Sequence, residues 1–345
     1  MKKFLTLMLI LALGMSTFLV GCGGETTEDP TAQEPAAQEP AAEAVKIGMV
    51  TDVGGVNDNS FNQSAWEGLQ QLSTDMGDKV AVDFAQSTSD ADYVPNLNQF
   101  VKDGWDLTWG IGFLMGDHIN TVAQQNPDSK LAIIDAVVEQ PNVASVTFKE
   151  HEGSFLVGVV AGLMTETNKI GFVGGMEIPV ITRFDKGFEA GVQAVNPDAE
   201  IIKIYTGAFD KPDAGKAAAA TMYDQGVDIV FHAAGSTGDG VFNEARDRKN
   251  NGQNVWVIGV DKDQSITFGD DITLTSMMKR VDVAIYDISK DLAEGNFEPG
   301  FKSLGLAENA VGLPEENPNI PQDVLTVVED YKAKIVNGEI VVPAE

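Results

Sequence analysis

Asp52, Asn57, Asp58, Asn59 and Asn62 crowd around one aromatic residue, Phe61, in VTDVGGVNDNSFNQSAWEGL (50–69), where an apolar strand-like run gives way to a helical one. Ionised carboxylates only accept hydrogen bonds, amides both accept and donate, and a phenyl ring stacks on a flat heterocycle. Together they suit recognition of a small polar molecule with donors around a flat ring. A plainer reading stands beside it. Asp58 and Asn59 can cap the helix that opens near Ser60. Phe61 also lies on that helix's apolar stripe with Ala65, Leu69, Leu72 and Met76. Phe209, in the polar stretch YTGAFDKPD (205–213), has less claim to a core and more to a ligand. Trp66, Trp105, Trp109 and Trp256 read as packing, and Arg183 as a support of a lobe or hinge.

The elements that must position these groups alternate. Short runs rich in Val and Ile, such as VKIGMVT (45–51), LTWGIGF (107–113), LAIIDAV (131–137), KIGFVGG (169–175), DIVFHAAG (228–235) and VWVIGVD (255–261), are separated by amphipathic helical segments. Runs of this kind fit parallel strands buried on both faces, joined by right-handed crossovers. The rhythm restarts after Val143–Phe148, which predicts two doubly wound α/β lobes. A strand at 272–278 and helices at 281–294 and 321–336 follow, so the chain is expected to cross back between lobes. The expected division is 45–147 plus 264–305 for the first lobe and 148–263 plus 306–345 for the second.

Open α/β sheets bind ligands at the carboxyl ends of their strands. Those ends carry Asp52, Asp135, Asp210 and Asp261, together with HAAGSTGDG (232–240). The last has the spacing G-x-x-G-x-G, not the order of a dinucleotide fingerprint, and no Gly-rich stretch is followed by the Lys-Ser or Lys-Thr of a P-loop.

At the other end, Lys2 and Lys3 precede an apolar run from Phe4 to Val20, as in a secretory signal. The run ends in Leu19-Val20-Gly21-Cys22, which resembles a bacterial lipobox. That resemblance implies a signal over 1–21 and lipid on Cys22; an ordinary signal with a chance cysteine is the alternative. Cys22 is the only cysteine, which leaves no internal disulfide, cysteine metal cluster or other thiol nucleophile. Three scattered histidines make a His-built metal site a poor expectation. Residues 22–44, with AQEPA repeated, have too few large apolar groups to fold and read as an acidic tether. A formal charge of −29 removes the basic footprint that nucleic-acid binding requires.

VTDVGGVNDNSFNQSAWEGL, IGFVGGMEIPVITRFDKGFEAGVQAVNP (170–197), HAAGSTGDGVF (232–242), GVDKDQS (259–265) and TSMMKRVD (275–282) resemble the basic membrane protein family, over nearly the whole chain after Ala44. These are lipoproteins that serve as substrate-binding components of ABC importers; this chain is most similar to the purine-nucleoside receptors, although it is acidic. The resemblance implies a type I periplasmic-binding fold, two lobes hinged by several crossovers. It implies that Phe61 and Phe209 sandwich a purine from opposite lobes. Asp58 and Asp135 match positions near the base, and Asp52, Gly235, Asp261 and Lys279 match positions around the ribose, with Lys279 partly balancing Asp261. The expectation is a monomer anchored through Cys22 that feeds a nucleoside to a membrane permease, with no cofactor, no metal and no catalysis. The rivals are a surface sensor or adhesin on the same fold, a hydrolase of the nucleoside bond, and a receptor for a sugar or another heterocycle.

Overall fold

The computed structural model describes residues 43–345; the expected signal segment over 1–21, Cys22 and nearly all of the expected tether lie outside the described residues. The first lobe opens with β1 (Val45–Thr51), α1 (Phe61–Met76), β2 (Val80–Ala85), α2 (Tyr93–Lys102), β3 (Leu107–Ile111), α3 (Gly116–Gln125), β4 (Leu131–Ile134) and β5 (Val143–Phe148). The second is built from α4 (Glu150–Met164), β6 (Lys169–Gly174), α5 (Pro179–Val195), β7 (Glu200–Tyr205), α6 (Pro212–Asp224), β8 (Ile229–Ala233), α7 (Thr237–Asn250), β9 (Trp256–Asp261), α8 (Ser265–Phe268) and β10 (Thr273–Lys279). The chain then returns through α9 (Val281–Ala293) and β11 (Gly300–Leu304) to the first lobe, and ends with β12 (Val311–Gly312) and α10 (Gln322–Val336) on the second.

Each lobe holds a six-stranded sheet, ordered β11-β5-β4-β3-β1-β2 and β12-β10-β9-β8-β6-β7. All pairings are parallel except β10 with β12. The two doubly wound sheets are those expected of a type I periplasmic-binding fold. β3, β4, β8 and the inner part of β9 are buried throughout because helices cover both faces of each sheet. α4 is apolar on nearly every side for a similar reason, since it lies among α5, α10 and β10. Ile47, Trp109, Ile133, Phe172, Phe188 and Phe231 fill the principal core, and Val173, Met222, Val230 and Phe242 form a second cluster where α6 and α7 lie on the second sheet. Among the described residues no helix is long and apolar enough to cross a membrane.

The crossings follow Phe148, Lys279 and Leu304. The sequence pattern put 264–279 in the first lobe, and the sheet order corrects this. β10 pairs with β9 in the second sheet, with Met278 beside Asp261. The turn from β9 through α8 to β10 is short, and strands close in sequence tend to pair. A buried apolar strand shows that it lies in a sheet but not in which one.

Candidate functional site

Register brings the polar groups together. Thr51, Ile111 and Ile134 lie side by side on β1, β3 and β4, so the next residues, Asp52, Gly112 and Asp135, leave the first sheet along one line. On the second sheet, β9 ends at Asp261 and β10 at Lys279. Asp135 and Asp261 both take positive φ, 71° and 64°, unusual for residues with side chains and concentrated here where the strands break off. Between the lobes lies a cavity. Asp52, Asp58, Phe61 and Asp135 line it from the first lobe, Phe209, Gly235 and Asp261 from the second. Ile178, Ile181 and Phe184 add apolar wall. A side chain at Gly175 would collide with the Phe209 ring, so the glycine gives that ring its place.

The carboxylates differ in what they have left to offer. Asp58 accepts from the backbone N–H groups of Ser60 (3.0 Å), Asn62 (2.8 Å) and Gln63 (3.0 Å) and from Asn62 Nδ2 (3.0 Å). These donors fill its four acceptor positions and satisfy the open amides at the start of α1. Asp58 thus caps the helix and also lines the cavity, at the position that the family resemblance places near the base. Asp52 accepts only on Oδ1, from Gly54 N–H (2.9 Å) and Asn62 Nδ2 (2.8 Å). Its Oδ2 receives no hydrogen bond from a described residue. Asp261 accepts from Ser60 Oγ on Oδ2, across the cleft, and keeps Oδ1 free in the same sense.

Lys279 has nearer partners than Asp261, which it also helps to balance. Its Nζ stands 2.7 Å from both oxygens of Asp135 and 3.1 Å from Glu150 Oε1, and Glu150 is held in turn by Arg183 Nε at 2.7 Å. Asp135 is therefore its direct partner and Asp261 a more distant one, so the ammonium joins the lobes before it can serve a ligand. Phe61 lies above it, with its ring centroid 5.0 Å from Nζ. Burial works against the Lys279 charge, but Asp135, Glu150 and Asp261 together raise its pKa above the usual lysine range.

Burial lifts the free carboxylates. It pushes Asp52 up to about 6, aided by repulsion from Asp58 and Asp135 and opposed by its bonds to Asn62 and Gly54. It pushes Asp261 up to about 7, with Lys279 and Ser60 pulling back. The polar surface offered to a ligand is therefore acceptor-rich, crowded with negative charge and flanked by two phenyl rings. Among the described residues no group of three or more His, Cys, Asp or Glu side chains is arranged to hold a metal ion.

Residues 45–345 match the family described as ABC transporter substrate-binding protein PnrA-like. The chain belongs to this family. The PnrA-like protein is 37% identical to the ABC transporter nucleoside-binding protein BmpA of Lactococcus lactis subsp. cremoris, over the full length of both chains. It is 49% identical to the CD4+ T-cell-stimulating antigen of Listeria monocytogenes, over 86% of this chain and 87% of that one. An ABC transporter solute-binding protein from Aeropyrum pernix K1 superimposes with a TM-score of 0.80 and 34% identity, covering 87% of this chain and 94% of the other. As a PnrA-like protein it is a substrate-binding component of an ABC transporter.

Sequence reasoning left the specific roles of several contributors to this PnrA-like site unassigned. Asn62 holds Asp52 and Asp58 at once, and its presence in the first turn of α1 among two aspartates was the available signal. Glu150 is wholly buried beside Lys279, yet in sequence it is one more acidic residue at the start of a helix. Arg183 supports it, in keeping with the supporting role expected of that residue. Gly112, with φ 120° and a hypothetical Cβ 3.1 Å from Asp52 Oδ2, leaves that oxygen room.

Proposed function

We propose that this protein is a lipid-anchored extracytoplasmic receptor that captures a nucleoside, most naturally a purine, and delivers it to the permease of an ABC importer. One observation carries the reading: Phe61 and Phe209, from opposite lobes, line the same cavity as the free oxygens of Asp52 and Asp261. Two rings suit the two faces of a heterocycle, each stack contributing roughly 1–3 kcal/mol. The carboxylates suit hydroxyls and ring N–H groups, and a bond to an ionised acceptor is about twice as strong as a neutral one. The name of the Lactococcus relative points the same way. A ligand held from both sides favours the closed form, the state that a permease would distinguish from the empty receptor. Cys22 carries the lipid in this reading, and residues 22–44 let the folded part reach the permease.

The test is mass spectrometry of small molecules released on denaturing the purified chain, followed by calorimetry with adenosine, guanosine, inosine and ribose. A nucleoside in the extract and micromolar or tighter binding of at least one of the three are expected. Binding of ribose alone, or release of free base from inosine on prolonged incubation, overturns the reading.

A further inference from the structure

Resting on that two-lobed receptor, we propose that Gln264 is a positioning residue for capture: oriented by His232, it fastens the second lobe to the Asn59 carbonyl of the first when the cleft closes, without touching the ligand. Gln264 is fully buried just beyond the end of β9. Its side-chain oxygen accepts from the Val260 N–H (2.9 Å) and faces His232 Nε2 (2.8 Å). A backbone N–H can only donate, so it identifies Oε1 as the oxygen of the amide, and His232 must then carry its proton on Nε2. The opposite end of the amide, Nε2, is left to donate across the cleft to the Asn59 carbonyl at 3.0 Å. Gly259 makes the arrangement possible, since a Cβ there would stand 2.7 Å from Gln264 Oε1 and 2.9 Å from its Cβ.

Asn59 is shaped to receive this bond. Its φ of 53° turns its carbonyl toward the second lobe, and its own Nδ2 donates to Asp239 Oδ2 of α7 at 3.1 Å. Lys262 and Glu67, 2.6 Å apart, also join the lobes, but that pair is partly solvated and weaker for that reason. Asn59, His232 and Gln264 are all absent from the cavity wall. Their bonds across the cleft exist only when the lobes meet, so they shift the open–closed balance by one factor whichever ligand is inside. A residue touching the ligand would change the order of preference instead.

The full chain is compared with Gln264→Met, which keeps the volume and loses the amide. A second variant, Gln264→Glu, keeps an acceptor for His232 and Val260 and loses the donor. Calorimetry with adenosine, guanosine and inosine is paired with hydrogen exchange of the ligand-free protein over residues 57–64. Both variants are expected to bind every nucleoside roughly tenfold more weakly with the ranking unchanged, and to exchange faster over that segment. Affinities within twofold of the parent with unchanged exchange overturn the proposal, as does a changed ranking. If the parent binds none of the three, the nucleoside reading fails, and the exchange comparison still decides the latch. A variant that circular dichroism shows to be misfolded is set aside and the other decides.

Discussion

Asp52 and Asp58 share the amide of Asn62, yet only Asp52 keeps an oxygen for a ligand. That division makes the aromatic walls and the free acceptors separable by experiment. Replacing Phe209 with Ala removes one stack, so nucleoside affinity should fall tenfold or more, in line with about 1–3 kcal/mol per stacked base. Thermal unfolding should change little, because Phe209 is only partly buried in a loop; unchanged affinity would take Phe209 out of the site. Protonation gives a second check. With Asp52 at about 6 and Asp261 at about 7 in the folded chain, against an ordinary 3.8, the folded state binds more protons than the unfolded one between these values. The stability that these two carboxyls contribute should therefore be fully present below about pH 3.8 and be lost as pH rises through 6 and 7. Hydroxyl donors favour the ionised carboxylates, so nucleoside affinity should run the other way, rising from pH 5 to pH 8 with protons released on binding. Titrations in buffers of different ionisation enthalpy measure that release, and proton uptake would contradict the assignment.

The start of α1 depends on a residue that is not itself helical. Asp58 reaches three backbone amides there, and Asp58→Ala leaves them buried without acceptors. A loss of about 1–3 kcal/mol is expected from the missing cap and its unsatisfied donors, measured by denaturant unfolding. Asp52→Asn, which preserves an acceptor for Gly54 and Asn62, should lose much less. Both readings of Asp58 were open in the sequence, and only geometry shows the cap, because a cap and a ligand contact use the same residue type at the same strand–helix junction. Apolar runs and helical stripes revealed nearly every long element to within a few residues. β11, GFKSL, escaped notice: it is an exposed edge strand paired only with β5, so it carries little apolar signal. The lobe membership of β10 was equally illegible, since burial on both faces looks the same in either sheet. Phe61 and Phe209 reach one cavity across a distance of sequence that no local pattern bridges; only the family resemblance paired them.

The whole molecule is strongly acidic, and that charge is carried into the cleft as well as over the surface. Asp52, Asp58, Asp135, Glu150 and Asp261 are all buried there, answered by Lys279 and Arg183. A like-charged pair about 6 Å apart repels by about 3 kcal/mol at an effective dielectric near 20. A nucleoside 5′-phosphate brings up to two negative charges into this field, whereas the neutral nucleoside brings none. Calorimetry should show adenosine binding at least a hundredfold more tightly than its 5′-monophosphate. The gap should narrow at acidic pH, as Asp52 and Asp261 gain protons and the phosphate loses charge. Salt should change it little, because screening reaches exposed charges far better than buried ones. Equal affinity for the two would mean that the phosphate finds a cationic or solvated exit, and the acidic cleft would then have no part in selecting the ligand.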